Sequence, residues 1–571
     1  MKTTTTILTR LRLSAATVLL ALPMAAQSLA GRIVDPNGVP IPGITIDPGN
    51  GSPTAISDAL GMFNILGMSN RSYDVEYLPD RTAPWSALVR TTTVVGATNI
   101  GDVTLQPGHF VSGIVRTATG LPLMSCNLNV YDSNGVKLFT PYDNTDIAGA
   151  FSMAIPAGVY RVRVRPPVAS LFVGREFEDV TVAGPVNMGI IVLSDGLPVT
   201  GTVVDSVTSV PIGNTRIAAI NALTGERILI ENPLSNTFGA FSVLLPFGIM
   251  DLEFDPPLGN THTGKQIFGA FVLGATAMGQ VRLVNGVMLS GTVMSPGGPV
   301  TGSDIDVLAA DGSKLYTPND HTNAAGAFAV AVPAGATYTV RVEPRKVLGL
   351  VGHLSAPTPV NAATNIGTVT LVTGVPISGT ITGPQGPEVN ANLDFFDAAG
   401  NEIVTVGDHT DQNGMYSTYV PAGTWRIDVD SAEGSHGKPV SVSGVSITAA
   451  TSWNRTLPGK ALVTTLTSFG TPTLGQGGLM PLNPFLQGLN PSPVPANLQL
   501  VVALPSGQEL PIFPTLPLSV MPVPLQLYGA WVPLPIVPAT ATGKLLNVVF
   551  RFRDPATNAV LDEAKTPFVV R

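Results

Sequence analysis

Catalysis needs nucleophiles, bases or metal ligands gathered in one place. The chain has six histidines: His109, His262, His321, His353, His409 and His436. None opens a His-Glu-x-x-His pair, which would set two zinc ligands on one helix face, and none has Glu three residues on. No Gly-x-Ser-x-Gly elbow occurs to present a serine nucleophile. The single cysteine, Cys126, has no local signature of a nucleophile and reads as a small apolar residue on a strand. One run imitates a phosphate loop: Gly259-Asn260-Thr261-His262-Thr263-Gly264-Lys265-Gln266. A working loop needs Ser or Thr after the Lys to hold magnesium, and a strand before and a helix after. Here Gln266 follows and Asp255-Pro256-Pro257 precedes.

Two Asp-His pairs occupy equivalent places, Asp320-His321-Thr322 and Asp408-His409-Thr410, with Asp143-Asn144-Thr145 matching them earlier. Two residues fall short of the four or more ligands a metal usually takes, and neighbours on a strand face opposite ways. The pairs therefore read as solvated polar groups before a turn. Trp85, Trp425 and Trp453 could stack on sugars. Trp425 falls on an inward-facing register and reads as core, while Trp85, after Ala83-Pro84, is the better exposed candidate. The expected site list is empty: no catalytic residue, no cofactor-binding residue and no metal ligand.

The elements that would position such residues are strands. Only 12% of residues are charged, about half the usual share. Gly (60) and Pro (51) are abundant, and both interrupt helices and punctuate short strands. With 44% hydrophobic residues, disorder is disfavoured. At 571 residues several cores are required. Residues 1–26 read as a signal peptide: Lys2, Arg10 and Arg12, an apolar run Leu13 to Leu22, then small residues before a cleavage expected between Ala26 and Ala30. Export makes the chain secreted or cell-envelope, and no later segment has the apolar length of a membrane span. The net charge of −8 becomes −11 without the leader, and no basic patch suggests nucleic acid. A lone cysteine leaves no intramolecular disulfide.

Internal repetition dominates. A turn of the form Thr/Ser-Asp/Asn-x-x-Gly-x-Phe/Tyr occurs at Ser57–Phe63, Thr145–Phe151, Ser235–Phe241, Thr322–Phe328 and Thr410–Tyr416. Its glycines are separated by 88, 90, 87 and 88 residues. Each unit opens on Gly and alternating apolar residues, as in Gly31-Arg32-Ile33-Val34 and Gly113-Ile114-Val115, and a turn then leads to Pro, as in Gly38-Val39-Pro40. Four hairpins close on Pro-x-Gly, as in Pro156-Ala157-Gly158. Asn-x-Gly turns end units at Asn99, Asn187 and Asn365. Strict alternation follows Pro-x-Gly: Tyr160, Val162 and Val164 on one face, Arg161, Arg163 and Arg165 on the other. Period two with one charged face is a half-buried antiparallel strand. Each unit therefore reads as a two-sheet sandwich of about seven strands. An internal Lys–Asn cross-link, as in pilus-adhesin sandwiches, needs a Lys on the first strand, and the first strands of these units hold none.

Together the opening Gly-x-Val, the Gly-x-Pro, the Thr-Asp-x-x-Gly-x-Phe and the Pro-Ala-Gly-x-Tyr-x-Val resemble the carboxypeptidase regulatory-like domain over residues 28 to about 459. That resemblance implies a transthyretin-like (prealbumin-like) sandwich, which in the family accompanies a zinc peptidase that is missing here. Repeat three departs from the pattern with Met250 in the aromatic's place.

The expected fold class is all-β: tandem antiparallel prealbumin-like sandwiches with a C-terminal immunoglobulin-like domain. The expected domains are a signal peptide 1–26, repeats 27–108, 109–196, 197–286, 287–374 and 375–459, and a Pro-rich domain 460–571. In the last, strands are predicted over Asn497–Leu504 and Leu545–Phe552, with prolines on edges and in loops; a partly disordered tail is the alternative. Short Gly-containing junctions predict that neighbours touch only at their ends. The chain reads as a non-enzymatic stalk or adhesion-type scaffold without cofactors, whose partner is an extracellular or cell-envelope protein. The alternative is a carbohydrate-binding array on extracellular glycans. Exposed Trp and Tyr repeated on one loop set would favour the glycan reading, and their absence the stalk.

Overall fold

The computed structural model describes residues 27–133, 135–468 and 471–570, so the expected leader lies outside the described residues. Among these residues the regular structure is strand, with 3-10 turns at Lys346–Leu348 and Ala539–Ala541. Five sandwiches follow one another, and a sixth of different design ends the chain. The chain divides into two compact units: residues up to Ser170 with Arg175–Leu193, and Leu171–Gly174 with Ser194 onward.

The first sandwich shows the plan. One sheet has the opening strand Ser28–Val34 at its centre, between Met62–Leu66 and Ala97–Thr104. The other orders Ala55–Ile56, Thr45–Asp47, Arg71–Leu78 and Leu88–Val94. Leu29, Ile33, Ile46, Val75 and Tyr77 meet between the sheets with no exposure. The opening strands His109–Thr117, Gly196–Asp205, Val287–Ser295 and Val375–Gly383 hold the same central place. Each pairs antiparallel with the strand after the landmark turn and parallel with the strand that closes the unit. That parallel pair is the exception in sandwiches otherwise antiparallel.

Each of the four fixed residues of the landmark turn has a task, repeated five times. The first residue (Ser57, Thr145, Ser235, Thr322 or Thr410) is at most 5% exposed. Its hydroxyl donates to the carbonyl of Ile41, Leu123, Ile212, Val300 or Glu388, and accepts the amide of Ile44, Cys126, Thr215, Ser303 or Ala391. Buried backbone groups need such partners. The acid or amide that follows accepts two amides, at two and four residues on; Asp146 takes Ala148 and Ala150 at 2.8 and 2.9 Å. The glycine has φ of 70 to 75°. A Cβ there would also lie 2.3–2.4 Å from an opening-strand carbonyl, such as that of Val115 beside Gly149. Positive φ and a backbone in contact leave room for glycine alone.

The last residue explains the other landmark. Phe63, Phe151, Phe241 and Phe328 face Gly31, Gly113, Gly201 and Gly291 across the antiparallel pair. A Cβ on those glycines would stand 2.7–2.9 Å from the ring atoms. The opening glycine is therefore the floor on which the aromatic ring lies. In the fifth sandwich Tyr416 faces Gly379, and its hydroxyl donates to the Trp453 carbonyl at 2.9 Å. The aromatic after Pro-x-Gly also has a task. Tyr160, Tyr338 and Trp425 donate to the carbonyls of Pro156, Pro333 and Pro421 at 2.8–3.0 Å, pinning the hairpin. Met250 is fully buried in that place but has no donor to offer.

Two expectations need correction. Asn99, Asn187 and Asn365 are not in turns. They sit within the closing strands, where each side chain accepts the amide of the glycine two residues on at 2.7–2.9 Å. The parallel register shifts at these points, so the motif makes a β-bulge. The second correction concerns neighbours. Within the second unit, the C-terminal sandwich touches the third and fourth sandwiches as well as the fifth. Thr473 Oγ1 donates to the Phe268 carbonyl at 3.0 Å, and Lys544 pairs with Asp311. Glu433 of the fifth accepts the amides of Leu466 and Lys565 at 2.9 and 3.1 Å. From Ala461 to Gly543 the sequence has one charge, Glu509. So apolar a surface gains by packing against its neighbours.

This sixth sandwich has a sheet of Leu462–Thr467, Leu479–Gly488, Leu525–Gln526 and Ala530–Pro533. The other sheet is built on Val494–Ala503, Leu545–Arg553 and Val560–Val570. Both predicted strands lie in it. Contrary to expectation, Pro481 and Pro484 occupy a central strand. Pro484 pairs with Leu466 on one side, but on the other it falls in the gap between Leu525–Gln526 and Ala530–Pro533. Pro481 precedes the stretch paired with Leu462–Thr467. Each proline thus sits where one ladder is interrupted, and its missing N–H leaves no partner stranded.

Candidate functional site

The phosphate-loop look-alike runs into a strand, Lys265–Val272, where a phosphate loop would start a helix. Lys265 donates to the Arg282 carbonyl at 3.3 Å. His262 is tied down by Asn260 at 2.7 Å and Asp205 at 2.9 Å. The Asp205 carboxyl is held well below its usual range, chiefly by the amide and hydroxyl of Thr208 and then by His262. This is a structural knot joining the opening strand to a loop.

The Asp-His pair of the fourth sandwich gains a partner that sequence spacing does not show. Asp304, Asp320 and His321 place ligand atoms within 4.8 Å of one another. Asp320 and His321 lie off the strands, so the alternation argument does not separate them. Yet His321 turns Nδ1 to Asp320 (3.2 Å) and Nε2 to Asp304 (3.9 Å). A chelating histidine offers one nitrogen to the ion, whereas this ring bridges two carboxylates with both. Burial raises the Asp320 carboxyl, and repulsion from Asp304 adds to it. Lys314 pairs with Asp306 beside them. Burial opposes the Lys314 ammonium, but Asp306, Asp304 and Asp320 together raise its pKa. The carboxylates thus already have a cation. In the fifth sandwich Asn392 stands where Asp304 does, and the His409 ring pairs with Asp408 at 3.0 Å.

Trp425 is 7% exposed, as its register predicts. Trp85 and Trp453 are half-buried against their cores. Cys126 is fully buried, and burial pushes its thiol up to about 11.

Two features escape sequence reasoning. Lys460 and Asp562 pair at 2.8 Å with side chains 5% and 6% exposed, joining the two ends of the C-terminal sandwich. Asp562 also accepts the Thr464 amide at 2.7 Å, yet burial outweighs these partners and raises its carboxyl. The second is a cavity of about 540 Å³ between the third and C-terminal sandwiches. Its lining includes Trp531, which is 63% exposed. The charge-free run around Trp531 was the available signal.

No family model matches the chain. No curated protein matches its sequence. The resemblance to the carboxypeptidase regulatory-like domain therefore rests on the landmark residues. Among solved structures, the chain is similar to the TIE protein of Bacillus anthracis, at 13% identity and a TM-score of 0.15, covering 68% of this chain and 72% of that one. It is also similar to a streptococcal ancillary pilin, at 11% identity and TM-score 0.16, covering 45% and 98%. A third is BcpA, the major pilin subunit of Bacillus cereus, at 12% identity and TM-score 0.13, covering 62% and 99%. Superpositions of this quality carry no weight for function.

Proposed function

We propose that the chain is a non-enzymatic structural and interaction protein, exported to the cell envelope or beyond. Its tandem sandwiches, which resemble the carboxypeptidase regulatory-like domain in their landmark residues, form a scaffold. The observation that carries this reading is the fivefold reuse of one core design. Hydroxyl, Asx side chain, glycine and aromatic recur in each of the first five sandwiches, while the outward strand faces differ. Arg161, Arg163 and Arg165 line one, and Asp428 and Asp430 another. Varied surfaces on a constant frame suit display and spacing more than a single chemical site.

The C-terminal sandwich supplies the interaction surface. Met521, Val523, Leu525, Tyr528, Trp531 and Ile536 are each more than half exposed within a charge-free stretch. Apolar surface of this kind marks a contact with another molecule. Exposed Trp and Tyr are concentrated there, among the described residues, and do not recur from sandwich to sandwich. That distribution favours a scaffold over a repeated glycan-binding array.

The test is affinity capture from native cell envelope with the mature chain, beside a Tyr528→Ser/Ile536→Ser variant. Enrichment of one envelope protein by the parent and its loss with the variant supports the reading. Saturable binding of soluble glycans at several sandwiches, with equal capture by both chains, overturns it.

A further inference from the structure

The cavity between the third and C-terminal sandwiches has a floor, a roof and a rim. Its floor is the third sandwich: part-buried Ile249, Ile267 and Met278 line it above the core residues Val199, Leu252 and Val272, each 1% exposed. Its roof is the segment around Pro472, Thr473 and Leu474, which docks on the bulged strand at Gly269. There φ is +65°, and a Cβ would lie 3.1 Å from the Thr471 carbonyl. Asp251 accepts the Gly269 amide at 2.8 Å and fixes the bulge. The rim carries Phe271, Leu479 and Trp531, at 64, 54 and 63% exposure.

The chemistry of this lining is one-sided. Among the described residues no charged side chain lines it. Its two hydroxyls are already donated, Thr276 to the Gly274 carbonyl and Thr473 to the Phe268 carbonyl, both at 3.0 Å. Ordered water needs two to four polar partners, so water is poorly held. A polar ligand would lose its hydration without replacement. The volume separates two apolar classes. A cavity of about 150 Å³ already takes benzene, and 540 Å³ is several times that. It falls within the roughly 300–1,000 Å³ of small-molecule sites. An extended hydrocarbon fills it, with any polar head left outside the apolar rim.

We propose that this cavity is a binding site for one alkyl chain of the fatty-acyl class. The chain lies against Ile249, Ile267 and Met278 and passes Trp531 at the mouth. The inference is independent of the scaffold reading, since a scaffold neither requires nor excludes a bound lipid.

The test uses the mature full chain and straight-chain alkanoic acids from octanoic to hexadecanoic, followed by calorimetry. Saturation at one chain per protein is expected, with each added methylene tightening binding about fourfold, the equivalent of about 0.8 kcal/mol. A brominated chain should quench Trp531, and Trp531→Phe, which keeps an aromatic ring at the mouth, should remove that part of the quenching. Ala270→Phe, which fills the cavity, should weaken binding at least tenfold. Because that variant could misfold, the quenching result stands as an independent arm. Absence of saturable binding at every length, tighter binding of naphthalene than of hexadecanoate, or quenching that Trp531→Phe leaves unchanged would each overturn the proposal.

Discussion

Thr145→Val removes one oxygen and almost no volume, which makes it a sharp probe of the landmark turn. The Thr145 side chain is buried, donates to the Leu123 carbonyl at 2.6 Å and accepts the Cys126 amide at 2.9 Å. Valine leaves both backbone groups without a partner in a place water does not reach. Each orphaned buried group costs about 1–3 kcal/mol, so the pair costs about 2–6 kcal/mol. Even the lower end raises the local opening constant about thirtyfold. Hydrogen exchange on the intact chain reads this in the amides of Val111, Gly113 and Phe151 through Ile155. Thr145→Ser is the control that nature has already run, since Ser57 and Ser235 occupy the position in other sandwiches. It should keep both bonds and exchange close to the parent rate. Acceleration of less than about threefold by valine, or equal acceleration by serine, would refute the assignment of the hydroxyl.

Breaking the buried ion pair by Lys460→Met should cost the C-terminal sandwich about 3–5 kcal/mol, and adding Asp562→Leu should restore much of it. Exchange across Leu545–Arg553 reports both, and a single-variant cost below about 1 kcal/mol sinks the prediction. The Cys126 thiol, pushed up to about 11, should resist maleimide at pH 8 in the native chain and react once denatured; stoichiometric native labelling would contradict this. Against the opposing effect of burial, Lys544 and Ser313 hold the Asp311 carboxyl down at about 2. Its folded value lies below the ordinary value of about 3.9. The Asp311–Lys544 contact between the fourth and C-terminal sandwiches should thus be intact above pH 4 and be lost as pH falls through 2. Exchange at Ser313 and Lys544 that begins to rise above pH 4, after correction for intrinsic rates, would disprove it.

The landmark turn was legible because its physics is local: Asp146, Gly149 and Phe151 act within seven residues, so their order in the sequence is their order in space. The inward faces of Tyr160–Val164 and Trp425–Val429 were legible for the same reason, as alternation is a property of one strand. What joins strands was not. Alternation is the same in parallel and antiparallel pairs, so the parallel closing strands left no mark. Asn99 and Gly101 bulge a strand with residues that elsewhere make a turn. Asp304 reaches His321 because its strand brings it there from 17 positions away. Docking of Thr473 on Phe268 spans 205 residues and depends on surface shape.

The parallel pairing has a mechanical consequence. In the second sandwich the first strand, His109–Thr117, and the last, Val186–Leu193, lie side by side and point the same way. Chain enters at the start of one and leaves at the end of the other. A tension applied through the neighbours therefore drags the two strands along their lengths in opposite directions. The ladder's hydrogen bonds are strained together, as in a lap joint, where a hairpin pulled open would lose them one at a time. Resistance to load in each of the five repeated sandwiches then depends on how many rungs its first and last strands share.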